Sequence, residues 1–102
     1  MAAPSNRLEK KKKNEDFYKA ILLLKTPEEC YNFFRDVCTI AELRAMEQRF
    51  QVARCLNAGM VYNDILAETG TSSATVSRVA RSMMDSNGGY ATVFERLEND
   101  GE

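Results

Sequence analysis

The 102-residue sequence contains no histidine. Its three cysteines, Cys30, Cys38 and Cys55, are widely spaced, and no two of them form a C-x-x-C pair. Imidazoles and paired thiolates are the usual zinc ligands, and an odd number of scattered thiols does not make a disulfide framework. No metal site and no cofactor is expected, and the cysteines read as reduced, partly buried thiols. The missing histidine also removes the commonest general base, and no Ser or Cys stands beside an activating partner. Glu28, Glu29, Glu42 and Glu47 fit capping, first-turn and solvated-face positions better than an acid–base pair. The chain therefore reads as a non-enzyme.

Long apolar runs are lacking as well. The longest, Ala20 to Leu24, is far too short to span a bilayer. No N-terminal segment joins basic residues, an apolar stretch and a small-residue cleavage site, so the expected location is the cytoplasm, with no membrane partner. No strand-like alternation and no internal repeat is present.

Apolar residues make up 44% of the chain and charged residues 28%, which fits one small globular domain with a thin stability margin. The net charge of −1 argues mildly against nucleic-acid binding, but the charge is unevenly spread. Residues 1–13 carry Arg7 and Lys10 to Lys13 against Glu9. Residues 69–84 carry Arg78 and Arg81 and no acid, whereas residues 85–102 carry five acids and Arg96. A chain neutral on average can still present a basic face. Three parts follow: a mobile basic arm over 1–13, a domain over 14–98 and a frayed acidic tail over 99–102. The arm reads equally as a solvated tail or as a phosphate contact.

Phe17, Ala20, Ile21 and Leu24 follow i, i+3, i+4, i+7 spacing, which predicts a helix over about 15–25. Thr26, Pro27 and Glu29 form an N-terminal signature for a second helix over about 27–37, with Cys30, Phe33, Phe34 and Val37 facing inward. Thr39 and Glu42 repeat the capping-box pattern and start a third helix, which ends at about Ala58 before Gly59. Its apolar stripe is Leu43, Met46, Phe50, Ala53 and Leu56. Its wet side is Arg44, Glu47, Gln48 and Arg54.

Two shorter helices follow, one over Tyr62 to Glu68 and one from the cap Ser72 to about Met84. Gly70 between them can take the left-handed conformation of a tight turn. Asn87, Gly88 and Gly89 break the chain before a last helix over about 90–97, which should bury Val93, Phe94 and Leu97. The expected fold class is all-α with about six helices.

Two short helices around a glycine turn form a helix-turn-helix when the second can enter the major groove. Val76, Val79 and Met83, with Ala80 at the edge, cluster on one side of the 72–84 helix. Ser73, Ala74, Ser77, Arg78 and Arg81 spread over the other. Hydroxyls and guanidiniums can contact base edges or phosphates, a methyl can meet thymine, and no carboxylate repels the backbone. The amides at Ser72, Ser73 and Ala74 can receive a phosphate. Spacing alone equally fits an ordinary amphipathic helix with a Ser-rich start.

The stretch from Leu43 to Met84 resembles the tryptophan-repressor superfamily, in particular its YerC/YecD branch of bacterial TrpR-like proteins. The resemblance is carried by Glu47–Phe50, Leu56, Gly59–Tyr62, Asp64–Ile65, Thr69–Ser72 and Ala74–Arg78, and extends more loosely over 14–98. Gly–Thr–Ser–x–Ala–Thr–Val–Ser–Arg is the specific part. The resemblance implies an all-α bundle and an intertwined homodimer whose N-terminal helices pack on the partner. It also implies two recognition helices that meet successive major grooves of double-stranded DNA, in a sequence-specific transcriptional repressor. Surplus apolar surface on the first three helices agrees with dimerisation.

The resemblance further implies a candidate effector pocket at Gln48, Thr75, Arg78 and Val79. In the tryptophan repressor a glycine admits the indole where this chain has Val79. One of the two arginines that sandwich the ring aligns with Gln48. Tryptophan is therefore not the expected corepressor, and the effector stays unidentified. Val61 stands where a Ser or Thr cap is usual, and Leu66 where many helix-turn-helix sequences have alanine. The rival reading is a helical homodimeric interaction module that has lost DNA binding, with Arg78 and Arg81 paired to Asp85 or to tail carboxylates.

Overall fold

The computed structural model describes residues 12–85 and 87–100, which form six α-helices and no strand among the described residues. The helices are α1 (Glu15–Leu22), α2 (Pro27–Val37), α3 (Ile40–Asn57), α4 (Tyr62–Thr69), α5 (Ser73–Met84) and α6 (Gly89–Asp100). Of the expected basic arm only Lys12 and Lys13 fall within the described residues, and neither is helical. Of the expected acidic tail, residues 101 and 102 lie outside them, while α6 continues to Asp100. The chain divides into two compact units between Val37 and Cys38.

The first unit holds α1 and α2. The Asn14 side chain accepts the Phe17 N–H at 3.2 Å and starts α1. The helix ends at Leu22 rather than at 25, because the Leu23 and Leu24 N–H groups tighten the last turn onto Ala20 and Ile21 carbonyls, each at 3.1 Å. Thr26 then caps α2 by accepting the Glu29 N–H at 3.1 Å. The Glu29 carboxylate accepts the Lys25 N–H at 2.9 Å, one residue earlier than a strict capping box requires. Phe17 and Phe33 bring the two helices together with ring centroids 6.1 Å apart. Neither helix has a buried residue. Cys30, Phe33 and Phe34 are partly covered, but Val37, expected to face inward, is half-exposed.

The second unit holds α3 to α6. Thr39 and Glu42 form the expected capping box, with bonds of 3.1 and 2.8 Å. At the other end of α3, Met60 N–H bonds Cys55 carbonyl and Gly59 N–H bonds Leu56 carbonyl, with Gly59 at φ +83°. This double closure is the Schellman arrangement, and it turns the chain sharply into α4.

The core joins α3, α4 and α5 through Val52, Ala53, Cys55, Ile65, Val76 and Val79, flanked by Leu56, Met60, Leu66, Met83, Tyr90 and Phe94. Val52 and Cys55 were not in the expected stripe of α3, and Met46, which was, is exposed. The physical reason is that Val52, Cys55 and Leu56 (i, i+3, i+4) make the face that meets α4 and α5. Met46 and Phe50 belong to a neighbouring face. Phe50 instead packs on Phe94 of α6 at 5.7 Å, and Tyr90 stacks on Phe94 at 5.8 Å. On α6, Phe94 is partly covered, but Val93 and Leu97 are 45% and 49% exposed rather than buried.

Ile65, Val52, Val76 and Val79 are the largest fully buried side chains. Each such burial stabilises by roughly 1.5–3 kcal/mol relative to exposure. One of them comes from α3, one from α4 and two from α5, so α4 and α5 are joined to α3 by fully buried side chains.

Candidate nucleic-acid interface

The turn between α4 and α5 is built by three neighbouring residues. Gly70 closes α4 in the left-handed conformation at φ +68°, its N–H bonding Leu66 carbonyl at 2.9 Å. A side chain there would be strained although the surrounding space is open. The Thr69 hydroxyl donates to Ile65 carbonyl at 2.7 Å and accepts the Thr71 N–H at 3.3 Å. Ser72 then caps α5 by accepting the Thr75 N–H at 3.1 Å, and its hydroxyl also meets the Thr75 hydroxyl at 3.1 Å. At the start of α4, Val61 makes no side-chain cap bond.

α5 separates its two sides cleanly. Val76 and Val79 are buried, and Ala80 and Met83 are partly covered. Ser72, Ser73, Ala74, Ser77, Arg78 and Arg81 are all exposed. Among the described residues, neither Arg78 nor Arg81 has a carboxylate within ion-pair distance; the ion pair that does form is Arg44–Glu47 at 2.7 Å on α3. Two guanidiniums, three hydroxyls and a methyl thus stand together on a helix whose first turn carries no acid.

A shallow depression on this surface is lined by Ala74, Thr75, Arg78, Arg81, Ser82 and Asp85. Ser82 and Asp85 were not among the expected site residues. Their signal was spacing: Ser82 lies one turn beyond Arg78 and Asp85 one turn beyond Arg81. Asp85 places a carboxylate at the edge of the basic face and sets its limit. Of the expected effector residues, Thr75 and Arg78 share this depression. Val79 is 2% exposed and lies in the core. Gln48 is exposed on α3 and does not line the depression.

Among the described residues, no cluster of three His, Cys, Asp or Glu side chains is placed to hold a metal ion. Among them, too, no helix is long and apolar enough to cross a membrane.

The family described as Trp repressor protein matches residues 12–98. The chain is 44% identical over 87 residues to the uncharacterized protein YerC of Bacillus subtilis (strain 168), covering 85% of this chain and 84% of that one. A solved TrpR-like protein from Eubacterium eligens ATCC 27750 superposes with a TM-score of 0.78 at 51% identity, covering 82% of this chain and 87% of the other. A solved protein described as a putative Trp repressor from Staphylococcus aureus gives a TM-score of 0.80 at 36% identity, covering 95% and 96%.

Proposed function

The chain belongs to the Trp repressor protein family, in its YerC branch, and on that premise we propose that it is a sequence-specific DNA-binding transcriptional regulator, acting as a repressor. The observation that carries this reading is the outward face of α5. Arg78 and Arg81 stand there without carboxylate partners among the described residues, beside Ser73, Ala74 and Ser77. In the proposed complex this face enters the major groove. The guanidiniums meet phosphates or base edges, and the free N–H groups at the start of α5 receive a phosphate. Ser72 acts through the cap that fixes the helix start.

The working form is a homodimer, with the N-terminal helices of each chain packed on the other. Support comes from the apolar side chains that the protomer leaves in solvent: Leu22 is 82% exposed and Leu23 74%, and Tyr18, Val93 and Leu97 are about half-exposed. The proposed location is the cytoplasm, and no catalytic role is proposed. Tryptophan is not the proposed corepressor. Val79, at the place where the resemblance implies a glycine beside the ligand, is a filled core position.

The test is the salt dependence of binding to duplex DNA. A dimer whose arginines neutralise about four phosphates should show a slope of about −3.6 in log K against log salt. Asp85, which edges the depression, is the feature that favours the rival reading of an interaction module without DNA binding. Absence of duplex binding at low salt would decide for that reading.

A further inference from the structure

The loop between α5 and α6 carries the sequence's single Asn–Gly pair, Asn87–Gly88. Both residues are exposed and lie outside any helix, and Gly88 has φ +73°. Among the described residues neither the Asn87 side chain nor the Gly88 N–H makes a hydrogen bond, although Gly88 carbonyl accepts from Thr92. Its two chain neighbours apart, no atom lies within 4 Å of where a Cβ of Gly88 would stand, so the turn is open there. The other described asparagines are held differently. Asn32, Asn57, Asn63 and Asn99 are within helices, and the Asn14 side chain is engaged as the cap of α1.

We propose that Asn87 is a site of spontaneous deamidation, a chemical modification that places a new negative charge just past the end of α5. The Gly88 backbone nitrogen, after losing its proton to hydroxide, attacks Cγ of Asn87. The N–Cγ bond forms, the Cγ–Nδ2 bond breaks, and the amide nitrogen leaves as ammonia. Water then opens the five-membered imide. Cleavage at Cγ gives aspartate, and cleavage at the original backbone carbonyl gives isoaspartate, with an extra methylene in the chain path. No electrons are transferred. A helix fixes the backbone so that the next nitrogen cannot reach Cγ, and beyond the first turn its N–H is already bonded. The flexible glycine in an unbonded turn removes both obstacles.

The product matters for its position. Asn87 follows Asp85, which already limits the basic depression that Arg78 and Arg81 line. A second carboxylate there lies at the C-terminal end of α5, where the helix dipole disfavours negative charge. Asn87 and Gly88 also line a groove with Phe50, Met83 and Tyr90, so the isoaspartate path lengthens the chain beside the aromatic cluster that seats α6. A weakening of duplex affinity on ageing rests on the reading of α5 as the DNA-binding face; the deamidation itself does not.

The experiment is incubation of the full-length protein at mildly alkaline pH, followed by peptide mapping that separates Asn, Asp and isoAsp at each asparagine. Asn87 should convert more than tenfold faster than Asn32, Asn57 and Asn63, with isoAsp as a product. Asn87→Gln should abolish that conversion, and Gly88→Ala should slow it. Conversion at Asn87 no faster than at the helical asparagines would overturn the proposal. The map decides the modification by itself, and the duplex affinity of fresh protein separately decides the reading of α5.

Discussion

The two units use the same vocabulary of capped, amphipathic helices and reach opposite results. In α1 and α2, with Phe17, Tyr18, Ile21, Leu22, Phe33 and Phe34, no residue is buried. In α3 to α5, seven residues reach the interior, and four of them are the largest fully buried side chains among the described residues. The difference is not composition. Ile65, Val76 and Val79 find one another because a Schellman turn and a glycine turn fold three helices back on themselves over a short stretch of chain. Two helices cannot enclose a core between them, so no residue of α1 or α2 is buried. The second unit packs the inner side of α5 into its core, and in the proposed dimer the first unit is the part that a second copy would cover.

The largest effects are expected where each unit's apolar side chains matter most. Ile65→Ala empties a fully buried position and should cost about 2–5 kcal/mol, read as a fall in the denaturant midpoint at constant slope. Leu22→Asp with Leu23→Asp changes side chains that are 82% and 74% exposed. In sedimentation this pair should shift the protein from dimer to monomer, while far-ultraviolet circular dichroism stays largely helical. An undisturbed dimer would mean that these leucines do not serve assembly.

Smaller effects sharpen the picture of the turn. Gly70→Ala forces a Cβ into the left-handed conformation and should cost about 1–2 kcal/mol, and Gly70→Asn less. Ser72→Ala removes the cap bond to Thr75 N–H and should cost about 0.5–2 kcal/mol by thermal unfolding. At the bottom of the scale, Arg44→Ala breaks a surface ion pair and should cost less than about 1 kcal/mol.

Helix ends were readable because their chemistry is local. Thr39 with Glu42, Ser72 with Thr75, and Gly59 after α3 each act within one turn, and their residue types announce the geometry. The outward face of α5 was readable for the same reason, since Ser73, Ala74, Ser77, Arg78 and Arg81 share one helix. What covers a face was not readable. Periodicity marks Val37, Val93 and Leu97 as apolar stripe positions, but whether a neighbour arrives on them is a tertiary fact. Val52 and Cys55 were missed because α3 has two apolar faces, and spacing cannot rank them. Gln48 could not be placed relative to Thr75 and Arg78, because they lie on different helices and only packing relates them.

The most direct measurement concerns Arg78 and Arg81. The double variant Arg78→Ala with Arg81→Ala changes exposed side chains without ion-pair partners among the described residues, so its fold and unfolding midpoint should match the parent. Its duplex affinity should then be measured beside the parent's across a salt series. The expected result is a large loss of affinity at low salt and a salt slope shallower by about 3.6, the share of four phosphate contacts in a dimer. Duplex affinity and slope equal to the parent's, in a protein that remains folded, would contradict the assignment of α5 as the DNA-reading helix.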